Sequence, residues 1–215
     1  MISQVSKVMG FPRHHLMIGV HSLCAGGTER VVSVLLDEFS QTPNLELHLL
    51  LYGRKPEMFF DIPESVSIHR PPFSFNPKMR VLSTARTSWF IRQTIARVRP
   101  DVVLNFGEYW NNLMLLSTLG TSVPVLVADR SSPAKSLGSV HDALRRILYR
   151  KSSGVLVQTH EASKMMKKTL GPSAPIHVIP NPLFSLLDSY TNCNAQAPKR
   201  GDLGRPGLRR PPLAG

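Results

Sequence analysis

The sequence predicts an α/β domain with a Rossmann-like, doubly wound parallel sheet. Short β-rich apolar runs alternate with longer segments of helical period, the pattern of successive βαβ units. A pair of glycines, Gly26-Gly27, joins the first such run to the first helical segment. The length of 215 residues, with 42% hydrophobic and 19% charged, suits one domain of this kind and a tail rather than two domains.

The elements follow in order. Leu16 to His21 reads as a buried strand that ends in the turn Cys24-Ala25-Gly26-Gly27. Val31, Val32, Leu35, Leu36 and Phe39 then share one helical face, with Asp37 and Glu38 off it. Leu45 to Tyr52 is a second strand stopped by Gly53, and Ser65 to His69 a third closed by Pro71-Pro72. Met79 to Arg99 is helical up to Pro100, and Asp101 to Phe106 is the fourth strand. Leu113 to Leu119 belongs to the next helix. Val123 to Ala128, Gly154 to Thr159 and Ile176 to Ile179 complete the strands, separated by helices over Ser139 to Lys151 and Glu161 to Leu170. Ligands are expected at the carboxyl ends of these strands. Residues 1–13 form an extension and 14–188 the domain. Residues 189–215, rich in Pro, Gly and Arg without apolar period, read as a disordered tail.

The formal charge of +12 and a pI near 10.3 imply attraction to polyanions or phosphorylated ligands. Two regions concentrate it. In Ser139 to Lys151, Val140, Ala143, Leu144, Ile147 and Leu148 form an apolar stripe, with Arg145, Arg146 and Arg150 off it. Lys164, Lys167 and Lys168 flank Ala162, Met165 and Met166 similarly. Such faces fit either an anionic membrane surface or a solvated exterior. Arg92 falls among apolar neighbours of its helix and blurs the same pattern there. Nucleic-acid motifs are absent, so nucleic acid is not an expected partner.

Cys24 and Cys193 give neither a disulfide framework nor a CxxC motif, which fits a reducing compartment. No signal-peptide pattern and no apolar stretch of spanning length is present. The expectation is a cytoplasmic protein, peripheral at most on the inner face of a membrane. No HExxH or HxH occurs, and the His14-His15 pair falls before the first expected strand, so no metal site is expected. Ser132-Pro-Ala-Lys135 fits S-x-x-K without its companion motifs and carries no nucleophile assignment.

The sharpest constellation is Gly26-Gly27-Thr28-Glu29-Arg30. Two glycines allow a tight turn and close backbone approach, and the N–H groups opening a helix favour an anion such as a diphosphate. A tight connection without a ligand is equally compatible, and the dinucleotide fingerprint G-x-G-x-x-G is absent. Glu29 in the first turn also suits the helix dipole as a structural charge.

Taken together, AGGTERVV, PDVVLNF, VPVLVADRSSP, GVLVQT and VIPNPL resemble the N-terminal domain of family 4 glycosyltransferases, which have the GT-B fold. The resemblance runs from Leu16 to Leu183. It implies a retaining, hexosyltransferase-type enzyme that uses a nucleotide-sugar as co-substrate, without metal or cofactor, on a saccharide or lipid-linked acceptor in polysaccharide or glycan biosynthesis. Gly26 and Gly27 would face the donor diphosphate, with Glu29 and Arg30 opening the helix behind. Asn105, Gly107, Glu108 and Tyr109 would line the acceptor cleft as a polar, aromatic loop. Asp129 and Arg130 stand where many relatives carry a histidine, so Arg130 is the expected holder of a phosphate or acceptor anion, with Asp129 as its catalytic neighbour or structural partner. The run Val178-Ile179-Pro180-Asn181-Pro182 matches the exit toward a second, donor-binding domain. That domain has no counterpart after Leu183, so a truncated or frameshifted chain, inactive by itself, is the expectation. The alternative is a non-catalytic basic α/β module for an anionic membrane or polymer.

Overall fold

A computed structural model describes residues 12–53, 58–130 and 135–181. The expected tail (189–215), most of the N-terminal extension, and Ser132 to Ala134 lie outside the described residues. The elements are β1 (His14–Val20), α1 (Gly27–Ser40), β2 (Leu45–Leu51), β3 (Ser67–His69), α2 (Arg80–Val98), β4 (Val102–Phe106), α3 (Glu108–Ser117), β5 (Val125–Ala128), α4 (Ser139–Leu148), β6 (Gly154–Val157), α5 (His160–Leu170) and β7 (Ile176–Val178). Short 3-10 turns precede α2 at Pro77–Met79 and follow α4 at Tyr149–Lys151.

All seven strands are parallel, in the order β3-β2-β1-β4-β5-β6-β7. The direction of winding reverses between β1 and β4, which makes their carboxyl ends the natural ligand crevice of the Rossmann-like α/β fold. Because parallel crossovers are right-handed, the reversal also sends the helices to opposite faces. Helix α1 buries Val31, Val32 and Leu36 against Ile18, Val20, Leu47, Leu49 and Leu104 on one face. On the other, Ile91, Ile95, Met114, Leu115, Leu148, Met166 and Leu170 from α2 to α5 pack on Met17, Val103, Val125, Val127 and Val155. Each such Val or Leu contributes about 1.5–3 kcal/mol on full burial.

Several expectations shift by a residue or two, and three change in substance. His14 and His15 are not ahead of the first strand; they open β1, paired in register with Leu45 and Glu46. Glu108 and Tyr109 are not loop residues but the first turn of α3. In α4 the buried face is turned by about one residue step, ~100° of helix rotation, from the expected stripe. Arg145 is buried at 4% exposure, whereas Val140 and Ile147 are 69% and 59% exposed.

Arg92, which blurred the apolar face of α2, has a local reason for its place. Its Nη1 donates to the carbonyls of Ser117 (3.2 Å) and Leu119 (2.8 Å) at the end of α3. A guanidinium there satisfies carbonyls that the helix leaves unbonded and complements its dipole.

Candidate functional site

The ends of β1, β4, β5 and β6 stand side by side and carry the residues expected to form the site. After β1, the backbone runs through Ser22 and Cys24 to Gly26, the N-cap of α1. Gly26 is extended (φ −172°, ψ 160°), and a side chain there would meet the Glu29 carboxylate, with Oε2 only 2.2 Å from an added Cβ. Glu29 therefore folds back over Gly26, and Ser22 Oγ donates to its Oε1 at 3.4 Å. A carboxylate at the positive end of a helix is the arrangement its dipole favours. Gly27 has open space around it, and Arg30 is exposed with its carbonyl accepting from Ser33 Oγ (2.8 Å).

Asn105 lies behind this rim and not on it. It is 0% exposed and belongs to a buried relay. Tyr52 Oη donates to Asn105 Oδ1 (2.9 Å), Asn105 Nδ2 to Asn111 Oδ1 (2.8 Å), and Asn111 Nδ2 to both the Ala128 carbonyl (3.1 Å) and Tyr149 Oη (3.0 Å). Burial pushes both phenols far above the ordinary tyrosine range, so both stay protonated as donors or acceptors. A satisfied buried network of this kind fixes one arrangement of its strands. It ties the end of β2 through β4 and α3 to the end of β5.

Above the relay, the His21 ring stacks on Trp110 (centroids 3.9 Å apart, 16° between planes). Tyr109, 40% exposed, meets His141 edge-on at 5.3 Å. Glu108 reaches the rim from the other side of the same turn, with Lys135 Nζ 3.5 Å from its Oε1.

Asp129 and Arg130 follow β5 and take opposite directions, as successive residues of an extended chain do. Asp129 is 3% exposed and faces Arg145, whose Nη1 lies 3.5 Å from Asp129 Oδ2. Arg145 Nη2 also donates to the Lys135 carbonyl (3.3 Å) and lies 3.8 Å from Asp142 Oδ1. So Asp129 does pair with an arginine, but not with its neighbour. Arg130 is half-buried, hydrogen-bonds the side chain of Asn181, and has its own carbonyl held by Gln158 Nε2 (3.2 Å). Burial lowers the Arg130 pKa from its ordinary value; a guanidinium retains its charge at any physiological pH, so the rim holds a partly desolvated cation.

The expected residues therefore separate into two groups. Gly26, Gly27, Glu29, Glu108, Tyr109 and Arg130 border the strand ends, with Arg30 exposed on the first turn of α1, while Asn105 and Asp129 support them from within. Asn111 and Tyr149 went unnoticed in the sequence, and Arg145 was expected on a basic outer face, whereas it is buried against Asp129. Their signal, an Asn-Asn pair in an apolar helix and an Arg one step from an apolar stripe, becomes legible only with the partner strand known.

The glycosyltransferase family 4 profile matches residues 25–183. The chain belongs to glycosyltransferase family 4. The matched span includes Gly26 and Gly27, the relay and Arg130. Among solved structures, the family 4 domain is similar to the apo form of the lipopolysaccharide outer core galactosyltransferase WaaB, at 19% identity over 79% of this chain and 46% of that one, with a TM-score of 0.60. Sucrose-phosphate synthase from Thermosynechococcus elongatus shares 10% identity over 85% of this chain and 53% of its own (TM-score 0.65). The UDP-N-acetylglucosamine 2-epimerase from Rickettsia bellii shares 12% over 86% and 49% (TM-score 0.63). No curated protein matches by sequence. The chain spans about half the length of these structural relatives, and the likeness identifies its fold as one half of GT-B.

Proposed function

We propose that this chain supplies the acceptor-side half of a nucleotide-sugar-dependent glycosyltransferase. The observation that carries the proposal is the rim itself. In a domain of this family, a glycine-opened helix N-terminus follows β1 and a half-buried arginine follows β5, with the end of β4 and the aromatic surface of Tyr109 and Trp110 between them. The Arg130 guanidinium favours a diphosphate or an anionic acceptor, as do those first-turn N–H groups of α1 that the Glu29 carboxylate leaves uncovered. Aromatic faces suit the apolar side of a sugar ring. Positioning and electrostatic stabilisation are the contributions such a rim makes to transfer, without a metal or cofactor, and with the anomeric configuration retained as in the family it resembles.

Glu29 and Glu108 are acidic, so neither holds a diphosphate directly. Glu29 stays with the helix end it covers, and Glu108 fits a sugar hydroxyl, which a carboxylate accepts from readily. Donor binding belongs to a second GT-B domain. An acceptor anchored at a membrane would be served by α4, whose exposed Val140 and Ile147 lie beside exposed Arg146 and Arg150; each basic residue near an anionic surface contributes about 1 kcal/mol. Among the described residues no helix is long and apolar enough to cross a membrane.

The test is transfer of labelled sugar from a panel of nucleotide-sugars, measured for this chain and for the chain continued after Asn181 into the donor-binding half of a family 4 enzyme. Transfer is expected in the joined form and not in the chain alone. If neither form transfers from any donor while the chain still binds anionic vesicles, the non-catalytic membrane module is the better reading.

A further inference from the structure

Away from the rim, the amino-terminal half of the sheet carries a row of ionisable side chains that transfer chemistry does not use. His15 on β1, Glu46 and His48 on β2, and His69 on β3 fall on one face, because residues paired across parallel strands point the same way. His15 Nδ1 lies 3.2 Å from His48 Nε2 and 3.5 Å from Glu46 Oε2. The three ligand atoms all lie within 4.8 Å of one another. From His15 to His21 is six residues of nearly extended chain, about 20 Å, so this group and the rim are separate places.

We propose that His15, Glu46 and His48 form a surface binding site for a divalent transition-metal ion of the zinc class, with His69 as the outer partner of His48. Three observations support it. The first is spacing: with metal–ligand distances of about 2.0–2.1 Å, tetrahedral geometry places ligand atoms roughly 3.3–3.4 Å apart, and the two closest separations here bracket that value. The second is orientation from behind. Arg13 Nη1 holds Glu46 Oε1 at 2.6 Å, which leaves Oε2 facing His15. His48 Nδ1 lies 3.3 Å from His69 Nε2, the contact by which a ligating imidazole is held in one tautomer when its other nitrogen binds metal. The third is ligand type: two imidazoles and a carboxylate suit zinc, whereas calcium and magnesium take all-oxygen sites.

Burial, and then the neighbouring His15, keep His48 below the usual imidazole range; burial, then His48 and Arg97, do the same for His69. The side chains of His15 and Glu46 are 32% and 39% exposed, so an ion and a water have access from solvent. Three protein ligands with an open fourth position bind reversibly rather than as a closed structural core. The site spans the three strands at one edge of the sheet, and occupancy would clamp β3, a strand of only three residues, onto β2 through His48 and His69.

The proposal is tested by calorimetric titration of zinc chloride into the full chain, freed of any tag and stripped with chelator, with thermal unfolding recorded with and without the ion. One zinc per chain and a raised unfolding midpoint are expected. His15→Ala, His48→Ala and the near-isosteric Glu46→Gln should each weaken binding at least tenfold, and His69→Ala about tenfold, the size of an outer-shell effect. His160→Ala, on α5, serves as the control and should bind as the parent does. Glu46→Gln keeps the strand pairing intact and so separates ligand loss from misfolding. Absence of saturable binding, or binding undiminished in both His15→Ala and Glu46→Gln, overturns the assignment.

Discussion

Asp129→Ala is expected to destabilise the domain by about 3–5 kcal/mol, the usual consequence of removing one member of a buried ion pair. The cause is the orphaned partner. Arg145 is 4% exposed, and its nearest carboxylate is Asp129; Asp142 lies further away on the same helix at 3.8 Å. With Asp129 gone, a guanidinium is left among Leu148, Tyr149 and the end of β5 with one weak partner and a carbonyl. Urea unfolding measures the loss directly. The companion variant carries Asp129→Leu with Arg145→Met, which removes both charges and refills the space. It should recover most of the stability, because apolar replacement of a whole buried pair is near neutral. A single variant within 1 kcal/mol of the parent would show that the pair does not hold α4 to β5.

Gly53→Ala should be nearly as damaging for a different reason. An added Cβ would lie 1.9 Å from the carbonyl oxygen of His21 and 2.7 Å from its carbonyl carbon. Both are backbone atoms where β1 leaves the sheet, so they have no rotamer to escape into. The chain after β2 must move, at a cost of about 1–3 kcal/mol for overpacking, and it must move against the residue that stacks on Trp110. Tryptophan emission is therefore expected to change together with the unfolding temperature. Gly27→Ala makes the contrast, since nothing approaches an added Cβ there. At the first residue of a helix that change is neutral to slightly stabilising, by less than the roughly 0.5–1 kcal/mol of a helix interior. Equal effects from the two glycines would contradict the close-approach account.

These cases show what sequence reasoning reaches and where it stops. Alternating short apolar runs and amphipathic segments fixed the parallel α/β architecture, because both periods are local. Gly53 was legible as a strand stop, but not as a contact with His21, which belongs to another strand. Glu108 and Tyr109 read as loop because α3 is opened by Gly107 without a side-chain cap, leaving no N-terminal signature to recognise. In α4, periodicity alone put Arg145 in solvent and Ile147 in the core. The tie-breaker was Asp129, sixteen residues earlier, whose buried charge draws the arginine inward. The histidine cluster escaped motif searches because its members come from three strands. Only Glu46-Leu47-His48, two ligand types on one face of a strand, carried a local sign of it.

Among the site residues, the sequence identified the strand ends more surely than the roles. Arg130 emerged on the rim, and Asp129 as its support from beneath, although the two are adjacent. This division follows from strand alternation once the burial of Asp129 is known. It leaves Arg130 as the cation that the account assigns to the reacting phosphate or acceptor anion.

The decisive measurement is kcat/KM for glycosyl transfer by the joined two-domain form carrying Arg130→Ala, beside Arg80→Ala, at the start of α2, as an exposed control of equal charge. The account predicts a fall of about 100-fold for Arg130→Ala, the scale of losing one preorganised electrostatic contact to the transition state, with the unfolding midpoint little changed and Arg80→Ala near the parent rate. A kcat/KM for Arg130→Ala within twofold of the parent would contradict it.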